Sequence, residues 1–217
     1  MICLIKRILC SAVKNLFDNQ PNIFDFTSQT GQTEWNLTHH LANEIHKYIF
    51  WLNYNLDVTK RNINNKRPDI IFHKRGINEL NFLAIEVKYR DVALKNDIIK
   101  IKEDWMGENL KYRFGASIRI VGKNKYEVII FDDKNNQEKG NQETKYLPIK
   151  RNSNSERKTI TEMVDKIFAL AKSPDYSQNS QKQAKVKKYK CQIDQLVYKL
   201  YGLKIEEVEI TERYEAA

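Results

Sequence analysis

The chain has 217 residues, the size of one ordinary domain with room for a small appendage, which excludes a large multidomain machine. Hydrophobic residues make up 41% and aromatics 11%, enough to build a core and too many for wholesale disorder. Lys and Arg number 37 against 28 Asp and Glu, and the resulting charge of +9 favours a polyanionic partner, nucleic acid ahead of an anionic membrane.

Along the chain, Ile5, Ile8, Leu9, Ala12, Val13 and Leu16 recur at helical spacing, with Lys6, Arg7 and Lys14 off that stripe. This predicts an amphipathic helix over residues 2–17. Lys6 and Arg7 also interrupt the apolar start before a signal-type stretch can form, and the longest apolar run, residues 48–52, is far too short to span a bilayer. Residues 18–33, with Pro21 and Gly31, read as loop. A second helix is expected over 34–50, where Leu37, Leu41, Ile45, Tyr48 and Ile49 form one apolar face. The period then changes from helical to extended. Strands are expected at 55–59, at 69–73 after Pro68, and at 82–89, with a polar turn at 62–67 and a hairpin connection around Gly76.

Residues 91–104 return to helical spacing through Val92, Leu94, Ile98, Ile99 and Ile101, and two more strands, 114–121 and 126–131, meet at Gly122. The charged stretch 132–156 reads as a long exposed loop. A helix over 159–171 rests on Ile160, Met163, Ile167, Phe168 and Leu170. Residues 173–184, with Pro174, read as a polar linker, followed by a helical tail at 185–217 whose helix lies around 193–201 and stops at Gly202. Residues 1–172 then form the main body. The order of elements predicts an α/β fold in which a mixed sheet is flanked by helices. Cys3, Cys10 and Cys191 form no CxxC pair, so neither a disulfide framework nor a zinc knuckle is written here, and a cytoplasmic protein with no membrane partner is expected.

Residues 67–90 carry the chemistry. In a strand, alternate side chains share a face, so Glu86 and Lys88 point one way and Ile85 and Val87 the other. Side chains two apart lie roughly 6–7 Å from each other, room for a metal-bound water. Antiparallel pairing through the Gly76 turn would lay Asp69 beside Glu86. Two carboxylates can hold a hard divalent cation that activates water and neutralises phosphate charge, and an adjacent lysine can orient the water or stabilise developing negative charge. The same residues on an open sheet face would be an everyday solvent-facing strand.

Pro68-Asp69 followed by Glu86-Val87-Lys88 resembles the PD-(D/E)XK nuclease superfamily, whose fold is restriction-endonuclease-like. The likeness extends over roughly residues 30–130, through Glu34-Trp35-Asn36-Leu37-Thr38-His39-His40, Asp57-Val58, Lys66-Arg67-Pro68-Asp69-Ile70-Ile71 and His73-Lys74-Arg75-Gly76. The resemblance implies a DNA endonuclease using Mg²⁺, with Mn²⁺ as a substitute. It assigns Asp69 and Glu86 to metal binding, Lys88 to catalysis and Glu34 to the acid on the first core helix. Thr59 departs from the pattern, which has an acidic residue near that position. Residues 193–203, followed by Glu206-Glu207-Val208, resemble a short C-terminal segment of restriction–modification proteins, which implies a DNA-defence context. Cutting both strands with one site per chain favours a homodimer or a restriction–modification partner protein.

Several residues compete for roles. Glu44 is the rival for the helix acid, though it lies about 80° from Glu34 around a helix axis. His40 and Glu44 have the i, i+4 spacing of a metal pair, with His39 and His46 nearby, but no third ligand follows at a recognisable spacing. Lys182, Lys185, Lys187, Lys188 and Lys190, with Tyr189 between them, suit either phosphate contacts or a solvated helix face. In the resembled fold, the helix with Lys95, Lys100 and Lys102 lies near the active strand. Trp105 and Tyr112 read as core or loop anchors.

Overall fold

The computed structural model describes residues 1–25, 31–60, 63–90, 95–132, 137–141, 154–203, 205, 208 and 209. Six extended segments pair into one sheet in the order β1 (Asn53–Leu56), β2 (Ile70–His73), β3 (Asn81–Tyr89), β4 (Phe114–Gly122), β5 (Lys125–Asp132) and β6 (Gln137–Asn141). All neighbours are antiparallel except β3 and β4, which run parallel. A parallel pair needs a crossover rather than a tight turn. Its helical part is α3 (Lys95–Lys100), which runs on into a π-helical turn, Ile101–Trp105.

The two-residue period divides the sheet's side chains between two layers. Ile70, Phe72, Leu83, Ile85, Val87 and Ile118 face the larger core, which they share with α1 (Ile2–Asn19) and α2 (Thr33–His46). Ile71, Ala84, Ile129 and Phe131 face the other way, onto Ile101, Trp105, Leu110 and Tyr112. The crossover helix can lie close on the sheet because position 115 lacks a side chain: a Cβ there would stand 2.2 Å from Ile101 Cγ2 and 2.7 Å from Met106 Sδ. Among the described residues, no helix is long and apolar enough to cross a membrane.

The mixed α/β sheet flanked by helices agrees with the sequence-based expectation, but several elements differ from it. Strand β1 lies at 53–56 rather than 55–59, and α2 ends at His46, with turns over 47–52. Of the helix expected over 91–104, residues 91–94 lie outside the described residues and the second half is π-helical. Within the span read as a loop, Gln137–Asn141 pairs antiparallel with β5 as an edge strand, and α4 (Asn154–Ala171) begins before residue 156. The polar sequence of β6 hides it, because an edge strand can form through main-chain pairing alone.

The C-terminal region departs furthest. α5 (Ser180–Leu200) begins inside the span read as a linker, after a short 3₁₀ turn at Tyr176–Gln178. Asn179 caps it by accepting a hydrogen bond from the Lys182 N–H, which satisfies a donor of the first turn. Val186, Ile193, Val197 and Tyr198 are buried in the larger core, and Asp194 takes a two-pronged ion pair from Arg113 at 3.0 and 3.2 Å. Most of the acidic follow-on segment after residue 203 lies outside the described residues.

Candidate functional site

The register of β2 against β3 decides the geometry. Ile70 pairs with Ile85, so the next position along sets Asp69 opposite Glu86, and the Val87 N–H donates to Asp69 Oδ2 at 2.6 Å. Glu86 and Lys88 share the β3 face that carries Ala84, the side covered by the crossover helix. Glu34 comes from the first turn of α2. Its Oε2 accepts the Tyr89 N–H at 3.1 Å, and its Oε1 lies 3.4 Å from Lys88 Nζ. The structure thus brings Asp69, Glu86, Lys88 and Glu34 together at one end of the β2–β3 pair.

Glu86 is the most deeply placed of the four, only 1% exposed. Both its oxygens are engaged: Oε1 accepts the Trp105 indole N–H at 2.7 Å, and Oε2 accepts from Lys100 Nζ at 2.8 Å. Lys100 also donates to the Arg67 carbonyl at 2.9 Å, and its ammonium sits 5.2 Å from the Trp105 ring centroid. The wider π turn lets residues five apart approach one side of the helix, so Lys100 and Trp105 both reach Glu86. Sequence spacing alone treats the indole as a core anchor, which it is; its second task, holding a carboxylate, depends on how the crossover lies on the sheet.

Electrostatics follow from this crowding. Burial, and then the neighbouring Asp69 charge, push the Glu86 carboxyl up to about 7. Burial likewise raises Asp69, opposed by the Val87 N–H and by Lys88 and Lys100. Burial works against the Lys88 ammonium, but Asp69, Glu34, Asp97 and Glu86 together outweigh it and hold the group above its ordinary value. Asp97, on α3, is a further acid that sequence reasoning did not single out. Burial raises it, against the pull of Lys88 and Lys100. Two acids that repel each other in a partly dry site, flanked by ammonium groups, suit a divalent cation and a phosphate.

The competing assignments separate cleanly. Glu44 is buried elsewhere on α2, where it accepts from Asn19 Nδ2 at 2.9 Å and from Lys47 Nζ at 2.6 Å, so Glu34 is the helix acid that meets the cluster. His40 is drawn below its ordinary value by burial and by His39, against the opposing charge of Glu44. Among the described residues, no three His, Cys, Asp or Glu side chains stand together as a ready-made metal cage. The lysines from 182 onward sit on α5, with Lys182 paired to Asp175. No family model, curated protein or solved structure gives a significant match to this chain.

Proposed function

We propose that the chain is a restriction-endonuclease-like nuclease that hydrolyses DNA phosphodiester bonds with Mg²⁺, or with Mn²⁺ in its place. The observation that carries this reading is the Asp69–Glu86 juxtaposition, with Lys88 two residues along the same strand face and Glu34 arriving from α2. The mixed α/β sheet, with α1 and α2 on one face and the crossover helix on the other, is compatible with it.

Asp69 and Glu86 fit a hard cation through their oxygens, with phosphate and water completing the set, as is usual for Mg²⁺ on one or two carboxylates. When bound, the ion supplies positive charge to the phosphate and acidifies water. Lys88 stays an ammonium at neutral pH, so it donates to a phosphate oxygen or orients the attacking water; it does not act as a base. Glu34, anchored by the Tyr89 N–H, positions Lys88. Trp105 fixes the angle of the Glu86 carboxylate. Lys100 neutralises Glu86 and holds an oxygen that would otherwise be available to a cation. Cutting both strands calls for two copies or a partner protein, and the C-terminal segment's likeness to restriction–modification proteins suggests a defence role.

A second reading has its own observation. The Lys100–Glu86 pair already supplies a positive charge to the buried acid. On that reading the chain keeps the nuclease fold as a non-catalytic nucleic-acid-binding or assembly subunit. Incubation of plasmid and linear DNA with Mg²⁺ separates the two. Cleavage by the wild type that disappears in Lys88→Ala supports the nuclease. DNA binding without cleavage in either metal supports the subunit.

A further inference from the structure

Among the described residues, three large apolar side chains stand exposed, and two of them are next in sequence to residues of the cluster: Trp35, 59% exposed, follows Glu34 in the first turn of α2, and Ile99, 43% exposed, precedes Lys100 on α3. An indole this open is unusual, because tryptophan brings a large apolar area that folding normally hides. The buried stripe of α2 is formed by Leu37, Leu41, Ala42 and Ile45, so Trp35 is not needed to hold that helix on the sheet. Nor is its ring loose. It stacks on His39 one helical turn later, with centroids 5.7 Å apart and 13° between the planes, and His39 meets His40 edge-on at 5.5 Å. One side of the indole is braced and much of the rest is open to solvent.

A flat, braced aromatic surface one residue along the helix from the acid that meets Lys88 has a natural ligand class. Lys88 and Lys100 suit a phosphate, and an indole one residue from Glu34 suits the base attached to it. In an uninterrupted duplex, neighbouring pairs cover both π faces of every base, so stacking on a protein ring requires an unpaired base. We propose that Trp35, braced by His39, stacks an unpaired nucleobase beside the cluster, and that the substrate is single-stranded DNA or a single-stranded segment such as a flap or overhang. The proposal rests on the nuclease reading for the placement of the phosphate; the stacking does not depend on cleavage.

Fluorescence anisotropy with a short labelled oligonucleotide and with its blunt duplex, in EDTA so that nothing is cut, tests it. Trp35→Ala is expected to weaken single-strand binding roughly tenfold or more while leaving the duplex affinity unchanged, and Trp35→Phe is expected to recover most of the loss. An equal loss on both DNAs, or no loss with either substitution, overturns the proposal. So does a Trp35→Ala protein that keeps its DNA affinity but has a smaller mass by light scattering, which would reassign the ring to contact between copies. Parallel digests in Mg²⁺ keep the two readings apart. Trp35-dependent single-strand binding without any cleavage sinks the nuclease alone, and cleavage with Trp35-independent binding sinks the platform alone.

Discussion

Substituting Glu86→Gln removes an ionisable group from the most buried position of the site while keeping an oxygen for the Trp105 indole. The folded protein holds the Glu86 proton up to about pH 7, against an ordinary value of 4.5. Between those values the native state binds a proton that the unfolded chain has released, so stability falls as pH rises. The contribution is fully present below about pH 4.5 and is lost as pH climbs through 7. At 1.36 kcal/mol per pKa unit the gap amounts to about 3 kcal/mol, worth roughly 6–12 °C of melting temperature in a chain of this length. Asp69, also raised, acts in the same direction. Thermal unfolding in EDTA at pH 5, 6, 7 and 8 reads the effect as a difference: the wild type should lose stability across the range more steeply than Glu86→Gln, because other titrating groups are common to both. Parallel curves for the two proteins would refute the account and mean that Lys100 and Trp105 stabilise the ionised carboxylate as fully as water does.

Three further outcomes follow from the same geometry. Millimolar Mg²⁺ at pH 8 should raise the melting temperature, by about 1.4 kcal/mol of stability at ten times the dissociation constant, and Asp69→Asn should abolish the rise; an equal shift in that variant would place the ion elsewhere. The shift should be smaller at pH 6, where Glu86 holds its proton against the metal. Gly115→Ala should cost about 1–3 kcal/mol in a urea titration, since the added methyl meets Ile101 and Met106, and it should also alter Trp105 fluorescence as the crossover lifts. Deleting residues 180–217 should abolish cooperative unfolding followed by near-ultraviolet circular dichroism, because Val186, Ile193, Val197 and Tyr198 belong to the main core; a truncated protein that melts cooperatively would show α5 to be dispensable.

The central site was legible because strand alternation is a short-range rule. Placing Glu86 and Lys88 on one face needs only the two-residue period, and a hairpin through Gly76 brings the two strands together, while the register that sets Asp69 opposite Glu86 depends on an irregularity at Phe72–His73. Lys100, Trp105 and Asp97 were not assigned to the cluster, since their part in it depends on how a crossover helix settles on β4, which Gly115 controls from a distant point in the chain. Edge strand β6 carries Gln, Glu, Lys, Gly and Asn, with no apolar alternation to read. The early turns of α5 are mostly Gln and Lys, and the helix there rests on a single buried side chain, Val186, too sparse a stripe to distinguish from a polar linker.

The β2–β3 pairing has a further consequence. His73 pairs with Asn81, but Phe72 pairs with Leu83, so β3 carries one extra residue at this step. Such a bulge offsets everything beyond it by one position. Had the pairing of His73 with Asn81 continued unbroken, Asp69 would lie opposite Ile85, an apolar side chain buried in the other layer, and the two acids would never meet. The bulge therefore works as a frame adjuster, in the manner of a single inserted letter that restores the sense of a line. The same sequence paired without the bulge would turn Ile85 and Val87 to the face that now carries Glu86 and Lys88, so one extra residue keeps both the core layer and the pair of acids in place.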